Sequence, residues 1–225
     1  MEFWYETHMH TMESSGCGRN TGAEQARHYK KLGYQGIIVT DHFINGYTAY
    51  PKNGIPWDRL MDCFIEGYLS AKEEGDRIGL DVFLGWEFTI RGSDFLTYGL
   101  DFEFLLDNPN LDRLEIEPYS ELVRKSGGFL AQAHPYRDRA YIQHRLPVSH
   151  LCVDAIEVHN ASDPASTNKK ALEFAKKHNL PVQAGGDSHG VSDTPSGIKL
   201  KRRAETIHDI IEAIKNEEVG LILSK

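Results

Sequence analysis

The segment Phe3-Trp4-Tyr5-Glu6 runs directly into Thr7-His8-Met9-His10-Thr11, a His-x-His pair close to the N-terminus. The aromatic run is typical of a β-strand. Alternate residues of a strand share one face, so the imidazoles of His8 and His10 point the same way at the strand end. Two neutral imidazoles that converge on one point favour a metal ion. Because isolated His-x-His sequences are common, the residues at the ends of the later strands decide what this pair means.

The composition predicts one globular domain over residues 1–225, with 40% hydrophobic and 26% charged residues. A net charge of −8 disfavours long contacts with nucleic acid, which need many Lys and Arg, although a short nucleotide held by metals stays possible. The three widely spaced cysteines are typical of a protein in a reducing cytoplasm. Glu2 and Glu6 argue against a signal peptide, and no apolar run reaches the ~20 residues of a membrane span.

Short apolar runs alternate with helical patterns along the chain. Thr21 and Glu24 predict a capping box at the start of the first helix. Such alternation is typical of parallel βα units. Seven or eight strands favour a closed barrel over an open doubly wound sheet, since no Gly-x-Gly-x-x-Gly follows the first strand. Strands are predicted at residues 36–40, 81–86, 94–100, 129–133, 153–156, 181–184 and 219–223, and helices at 21–33, 57–75, 118–126, 164–179 and 206–216.

Five predicted strands finish in imidazole or carboxylate side chains. In a βα barrel the carboxyl ends of the strands meet at one rim, where active sites lie. Burying so many of these groups without a cation would be costly, so the pattern predicts a cluster of bound metals. Nitrogen and oxygen ligands favour zinc, manganese or iron over calcium. The residues are His8, His10, His42, Glu87, His134, Asp187 and His189.

In this order, and nearly from end to end, the motifs resemble those of the PHP (polymerase and histidinol phosphatase) family. The resemblance implies an α/β fold, a distorted seven-stranded βα (TIM-like) barrel, with two or three divalent metal ions and hydrolysis of phosphate esters. It implies one metal on His8, His10, Glu87 and Asp187, a second on Glu87 and His134, and a third on His42 and His189. The motifs are His8-Met9-His10-Thr11, Thr40-Asp41-His42, Gly85-Trp86-Glu87, Ala133-His134-Pro135 and Gly186-Asp187-Ser188-His189.

Two positions depart from the family pattern. Family members often carry a His or Asp in the loop after the first motif, where this chain has Ser14-Ser15-Gly16-Cys17. We predict Glu13 as the replacement ligand, with Cys17 as the other candidate. Asp94 stands where the family often has a His, and we predict that it is a ligand of the second metal. Asp41 either orients an imidazole or caps its strand end.

The predicted chemistry needs no serine or cysteine nucleophile. Glu87, Asp187 and His189 are the predicted catalytic residues, and the general acid stays open between a bound water and His189. Arg19 and Arg137 are predicted to bind a phosphate group, since Arg matches phosphate oxygens bidentately. Arg139 is a further candidate, in the polar Arg-rich loop after His134 that also holds Arg145.

The most direct functional hypothesis is a phosphatase for a small phosphomonoester, such as a histidinol-phosphate-like compound or a nucleotide. A phosphodiesterase or exonuclease on short nucleic acid is one alternative. A non-catalytic metal-binding regulatory module is another. The sequence leaves open which ester is the substrate, which metal is bound and the oligomeric state.

Overall fold

A mixed sheet of nine strands forms the centre of the computed structural model, which describes residues 2–140, 142 and 147–224. Along the sheet the order is β7-β6-β5-β4-β3-β2-β1-β8-β9. The strands are β1 (Phe3–Met9), β2 (Gly36–Val39), β3 (Asp81–Ile90), β4 (Ser93–Tyr98), β5 (Phe129–Gln132), β6 (Ala155–Asn160), β7 (Val182–Gly185), β8 (Gly197–Leu200) and β9 (Gly220–Ile222).

The sheet curves until its first and seventh strands meet. Thr7 Oγ1 donates to the carbonyl of Ala184 at 2.7 Å. Just beyond β7, the Ser188 carbonyl accepts the backbone N–H of His10 at 2.8 Å, in a parallel bridge. The result is a nearly closed, barrel-like α/β sheet whose strand ends surround one region.

Six helices pack against this sheet, and the predicted capping box is present. Glu24 N donates to Thr21 Oγ1 at 3.1 Å, and Thr21 N donates to Glu24 Oε2 at 2.9 Å. The largest apolar cluster, which contains the fully buried Trp86, lies between the sheet and α2, α4 and α5. The helices are α1 (Gly22–Lys31), α2 (Trp57–Ile78), α3 (Phe102–Asp107), α4 (Ile116–Lys125), α5 (Ala165–His178) and α6 (Ile207–Lys215).

The predicted strand count and the all-parallel arrangement are corrected by the structure. The described residues form nine strands, and β3–β4, β4–β5, β1–β8 and β8–β9 pair antiparallel. The reason at β3–β4 is the turn Arg91-Gly92, where φ is 52° and 85°. Two positive φ angles in a two-residue loop form a tight hairpin rather than a crossover. Glu87 therefore lies inside β3 and not at its end.

The periodic pattern also missed β8 and α3, which are only four and six residues long. Within the described residues, no helix is both long and apolar enough to cross a lipid bilayer. In the predicted Arg-rich loop, His144 and Arg145 lie outside the described residues.

Candidate metal centre

The imidazoles and carboxylates predicted from the strand ends lie together at one rim of the sheet. Asp94 reaches the same rim because β4 runs antiparallel to β3 and begins where β3 ends. Two of these residues have left-handed backbones, His134 with φ 29° and Asp187 with φ 50°. Such conformations cost about 1–3 kcal/mol each and are concentrated at functional sites. The backbone therefore stores strain at two of the predicted ligands.

The first group consists of His8, His10, Glu87 and Asp187, all buried. The Nε2 atoms of His8 and His10 are 3.3 Å apart. Asp187 Oδ1 lies 3.4 Å from the first of these nitrogens and 3.2 Å from the second. Glu87 Oε1 lies 3.2 Å from His8 Nε2. A tetrahedral ion with bonds of about 2.0–2.1 Å separates its ligands by about 3.3 Å, so His8, His10 and Asp187 fit one metal, with Glu87 beside His8.

Hydrogen bonds on the far side of each ring leave both Nε2 atoms free to accept a metal. His8 Nδ1 lies 2.9 Å from Glu157 Oε1, and His10 Nδ1 lies 3.2 Å from Ser15 Oγ. Ser15 Oγ donates in turn to Asp41 Oδ1 at 2.6 Å. A ring that donates through Nδ1 carries its lone pair on Nε2. Asp41 thus orients His10 through Ser15, which is the first of its two predicted roles.

The charges of the group call for a cation between its members. Burial opposes ionisation of Glu87, but His42 and His8 outweigh it and hold its pKa well below the usual range. Burial likewise opposes protonation of His8, yet Glu157, Asp187 and Glu87 raise its pKa well above the usual value. Burial and the neighbouring His189 and His42 lower the pKa of His10 to about 3. The pocket therefore favours positive charge beside His8 while His10 stays neutral. Without a metal that charge is a proton on the His8 ring, and a bound cation would replace the proton and leave the Nε2 lone pair as a ligand.

A second group is formed by Glu87, Asp94 and His134. His134 Nε2 lies 3.1 Å from Glu87 Oε1 and 3.9 Å from Asp94 Oδ2. Thr89 Oγ1 donates to Asp94 Oδ1 at 2.7 Å, which leaves the second oxygen facing the group. Burial and the charge of Glu87 raise the pKa of Asp94 to about 6. The structure thus brings Asp94 to the predicted second metal position.

His42 and His189 form a third group beside His10, with one ring nitrogen from each within 4.8 Å of the others. His42 Nδ1 and Glu87 Oε2 lie 2.7 Å apart without hydrogen-bond geometry. Two buried polar atoms this close share either a proton or a bound cation. Cys17 lies against both rings. Burial raises the pKa of the Cys17 thiol, but hydrogen bonds with His189 and His42 outweigh it and lower the pKa to about 7.

Two predicted residues lie away from these groups. The Glu13 carboxylate accepts the backbone N–H of Gly22 at 3.1 Å, at the start of α1, because a helix N-terminus attracts an anion. It therefore does not take the place predicted for it among the ligands. The side chain of Arg19 is 53% exposed and pairs with Asp193, whose Oδ2 accepts His189 N at 2.7 Å.

Arg137 is buried at the edge of the first group. Its Nη2 lies 2.6 Å from Asp187 Oδ2 and 3.0 Å from Asn160 Oδ1, and its Nε lies 2.9 Å from Asp163 Oδ1. Burial opposes the charge, but Asp187 and Asp163 outweigh it and raise the pKa of the guanidinium. Arg137 therefore fixes the position of Asp187.

Glu157 also contacts the predicted ligands, and the sequence analysis missed it. Besides His8, it accepts the backbone N–H of His134 at 3.0 Å and Asn160 Nδ2 at 2.9 Å through Oε2. A Cβ on Gly185 would lie 2.5 Å from Glu157 Oε1, so only glycine leaves room for this carboxylate. A usable signal exists, since Glu157 follows an apolar run just as Glu87 does.

The three groups open into one cavity of about 620 Å³. Residues from every group line it, and its rim is formed by the loop after His42 and by the β3–β4 turn. The lining residues are Cys17, His42, Asn45, Gly46, Tyr47, Glu87, Thr89, Gly92, Asp94, His134, Arg137, Asp187 and His189.

Comparisons with known proteins give one family-model match and several solved structures with a similar fold. A family model described as PHP-associated matches residues 165–219, the segment that carries Asp187 and His189. A solved two-domain protein from Bacteroides vulgatus, described as containing a predicted PHP-like metal-dependent phosphoesterase, is 18% identical. The alignment covers 99% of this chain and 65% of that one, with a TM-score of 0.74. This chain therefore spans less than two thirds of that relative.

Two further solved structures share the fold. One is a Bifidobacterium adolescentis protein assigned provisionally as a metal-dependent phosphoesterase, with 15% identity, 96% coverage of both chains and a TM-score of 0.56. The other is the lesion-specific endonuclease PfuEndoQ from Pyrococcus furiosus, with 12% identity and a TM-score of 0.63. The alignment covers 98% of this chain and 58% of that one. A search of curated protein sequences found no match.

At these identities the solved structures show a common fold. Together with the PHP-associated match and the ligand geometry, they confirm the resemblance to the PHP family that the sequence motifs predict.

Proposed function

We propose that this chain is a metal-dependent phosphoesterase that acts on small phosphomonoesters. The observation that carries the proposal is the first group, in which His8 Nε2, His10 Nε2 and Asp187 Oδ1 lie 3.2–3.4 Å apart and Glu87 Oε1 lies 3.2 Å from His8 Nε2. Acceptors packed this closely repel one another unless a cation lies between them.

The proposed metal ligands follow the three groups. His8, His10, Glu87 and Asp187 would hold one divalent ion, Glu87, Asp94 and His134 a second, and His42 and His189 part of a third. Zinc, manganese and iron all suit these donors. When bound, such ions supply a water activated for attack and positive charge for the phosphoryl oxygens.

The remaining side chains of the centre act by holding these ligands in place. Glu157 accepts the Nδ1 proton of His8 in a hydrogen bond. Ser15, which itself donates to Asp41, accepts the Nδ1 proton of His10. Arg137 fixes one oxygen of Asp187 so that the other faces the imidazoles. Ligands held in one orientation reduce the rearrangement needed during the reaction.

The charge of the cavity makes phosphate binding dependent on metal. Glu87, Asp94 and Asp187 line it, and Arg137 is the cationic lining residue among those described. The Arg137 guanidinium is already shared with two carboxylates, so we propose it as a secondary phosphate contact and do not retain Arg19 for this role. A cavity of about 620 Å³ is of the size that encloses a small ligand.

The alternative is a phosphodiesterase or nuclease on short strands. The fold shared with PfuEndoQ is compatible with it. A net charge of −8 disfavours it, because strand binding depends on cationic contacts with phosphates.

The test is a phosphate-release screen on protein loaded separately with zinc, manganese or iron. The substrates are a panel of phosphomonoesters, a bis-aryl phosphodiester and a short single-stranded oligonucleotide. We expect turnover of monoesters that is lost in His8→Ala and kept in His208→Ala, a control at an exposed position on α6. Circular dichroism verifies the fold of both variants. Absence of turnover in every metal form would refute an esterase and favour a metal-binding module, and cleavage of the oligonucleotide alone would favour the nuclease.

A further inference from the structure

The third group lacks a ligand if only imidazoles are counted. Three imidazoles face it, but Nε2 of His10 already faces His8 and Asp187, and its Nδ1 faces Ser15. Two residues, His42 and His189, remain for a third ion. Zinc sites in proteins use at least three protein ligands, so a further donor is needed.

The backbone around Cys17 places its thiol at this position. Gly16 N donates to the carbonyl of Tyr47 at 2.8 Å, in the loop after His42. On the other side, Arg19 N donates to the carbonyl of His189 itself at 2.7 Å. Cys17 and Gly18 lie between these two anchors, and Cys17 lines the cavity together with His42 and His189. Glu13, the competing candidate, is occupied at the start of α1.

The neighbouring side chains also present free electron pairs toward this point. His189 Nδ1 lies 2.8 Å from the carbonyl of Asp187, so the ring donates there and keeps its lone pair on Nε2. Glu87 Oε2 is buried, lies 2.7 Å from His42 Nδ1 and makes no hydrogen bond with a described residue. A buried carboxylate oxygen that contacts imidazoles without hydrogen-bond geometry is the arrangement that a bound cation would stabilise.

We infer that Cys17 is a thiolate ligand of a third metal ion, together with His42 and His189, and that this position is selective for zinc or ferrous iron over manganese. The inference rests on the proposed metal-dependent function and adds a sulfur donor to it. On binding, the sulfur–metal bond forms and the thiol proton leaves to solvent, with no change in oxidation state. Thiolate ligands favour the softer ions, whereas manganese prefers oxygen.

The experiment is cobalt(II) substitution followed by absorption spectroscopy, since sulfur bound to cobalt gives a near-ultraviolet charge-transfer band. We expect the band in the wild type and in Cys63→Ser, and its loss in Cys17→Ser. Cys63 on α2 is partly exposed and does not line the cavity, which makes it the matched control. A band that persists in Cys17→Ser, or a cobalt-loaded wild type without the band, would overturn the inference.

A second measurement uses the wild type alone, in case the variant does not fold. Zinc should suppress alkylation of Cys17 by iodoacetamide, read by peptide mass spectrometry, while labelling of Cys63 is unchanged. Equal labelling of Cys17 with and without zinc would contradict ligation. The two proposals fail separately. Phosphate release without the band refutes only the sulfur ligand, and a Cys17-dependent band without phosphate release refutes only the esterase.

Discussion

Glu157→Gln is expected to weaken metal binding although Glu157 is absent from the three ligand groups of the proposed function. The carboxylate satisfies three donors, namely His8 Nδ1 at 2.9 Å, His134 N at 3.0 Å and Asn160 Nδ2 at 2.9 Å. A glutamine of nearly the same size offers one acceptor oxygen and one amide group. In the variant, the new NH₂ group must therefore face one of these donors.

Both orientations of the new amide are unfavourable. If its NH₂ faces His8, the imidazole must accept at Nδ1, and its proton moves to Nε2, where the metal should bind. If its NH₂ faces His134 N, buried donors oppose each other, which costs about 1–3 kcal/mol of stability. Loss of a partner that orients a ligating histidine weakens metal binding about 10–100-fold. This is about 1.4–2.8 kcal/mol at 1.4 kcal/mol per tenfold.

The assay is competition for zinc with a chromophoric chelator, paired with urea unfolding of the metal-free protein. Glu121→Gln, at an exposed position on α4, is the control and should match the wild type in both measurements. A Glu157→Gln protein with wild-type zinc affinity and wild-type stability would show that the contact with His8 does not control the ligand.

Three further outcomes are expected. Removal of the metals with a chelator would leave Glu87 and Asp187 buried without a cation. Calorimetry should then record a melting temperature lower by roughly 5–10 °C, because a ligand at 100 times its Kd stabilises the fold by about 2.7 kcal/mol. An unchanged melting temperature would mean that the folded chain holds no metal. Gly67→Ala places a methyl group 2.6 Å from Asp41 Oδ2 and into Thr11 Oγ1. Urea unfolding should show that the free energy of unfolding falls by about 1–3 kcal/mol, although alanine has a better helix propensity than glycine. A rise in this free energy would contradict the tight packing of α2 against Thr11 and Asp41. Glu13→Ala should lower the free energy of unfolding by about 0.3–1 kcal/mol, because it removes an anion from the start of α1. The metal content measured by mass spectrometry should stay unchanged, and loss of one metal ion per chain would show that Glu13 is a ligand.

Side chains at the strand ends were predictable because the pattern that places them is local. A short apolar run predicts a strand, and the polar residue at or just after the end of the run lies at the rim, as His8, His134 and Asp187 do. Glu87 also follows such a run and reaches the rim, although β3 continues beyond it. The capping box at Thr21 was predictable for the same reason, since both of its hydrogen bonds lie within four residues.

The missed features depend on contacts between distant segments or on single backbone angles. The turn at Arg91-Gly92 needs two positive φ angles, which hydrophobic periodicity does not encode, and it reversed the predicted direction of β4. The choice between Glu13 and Cys17 depends on how one loop is anchored to Tyr47 and His189. Glu157 lies 149 residues from His8, so the sequence can show that Glu157 follows an apolar run but not which imidazole it orients.

His8 Nε2 and Asp187 Oδ1 lie 3.4 Å apart although the two residues are far apart in the sequence. This separation along the chain has a consequence for biosynthesis. During translation the first histidines leave the ribosome long before the aspartate that completes their coordination. A nascent chain can expose imidazoles to cellular zinc for much of its synthesis, yet it gains a closed site only when β7 docks beside β1. If the proposed metal site is correct, metal acquisition is coupled to the last stages of folding, and a chain that ends before Asp187 would be unable to hold the ion.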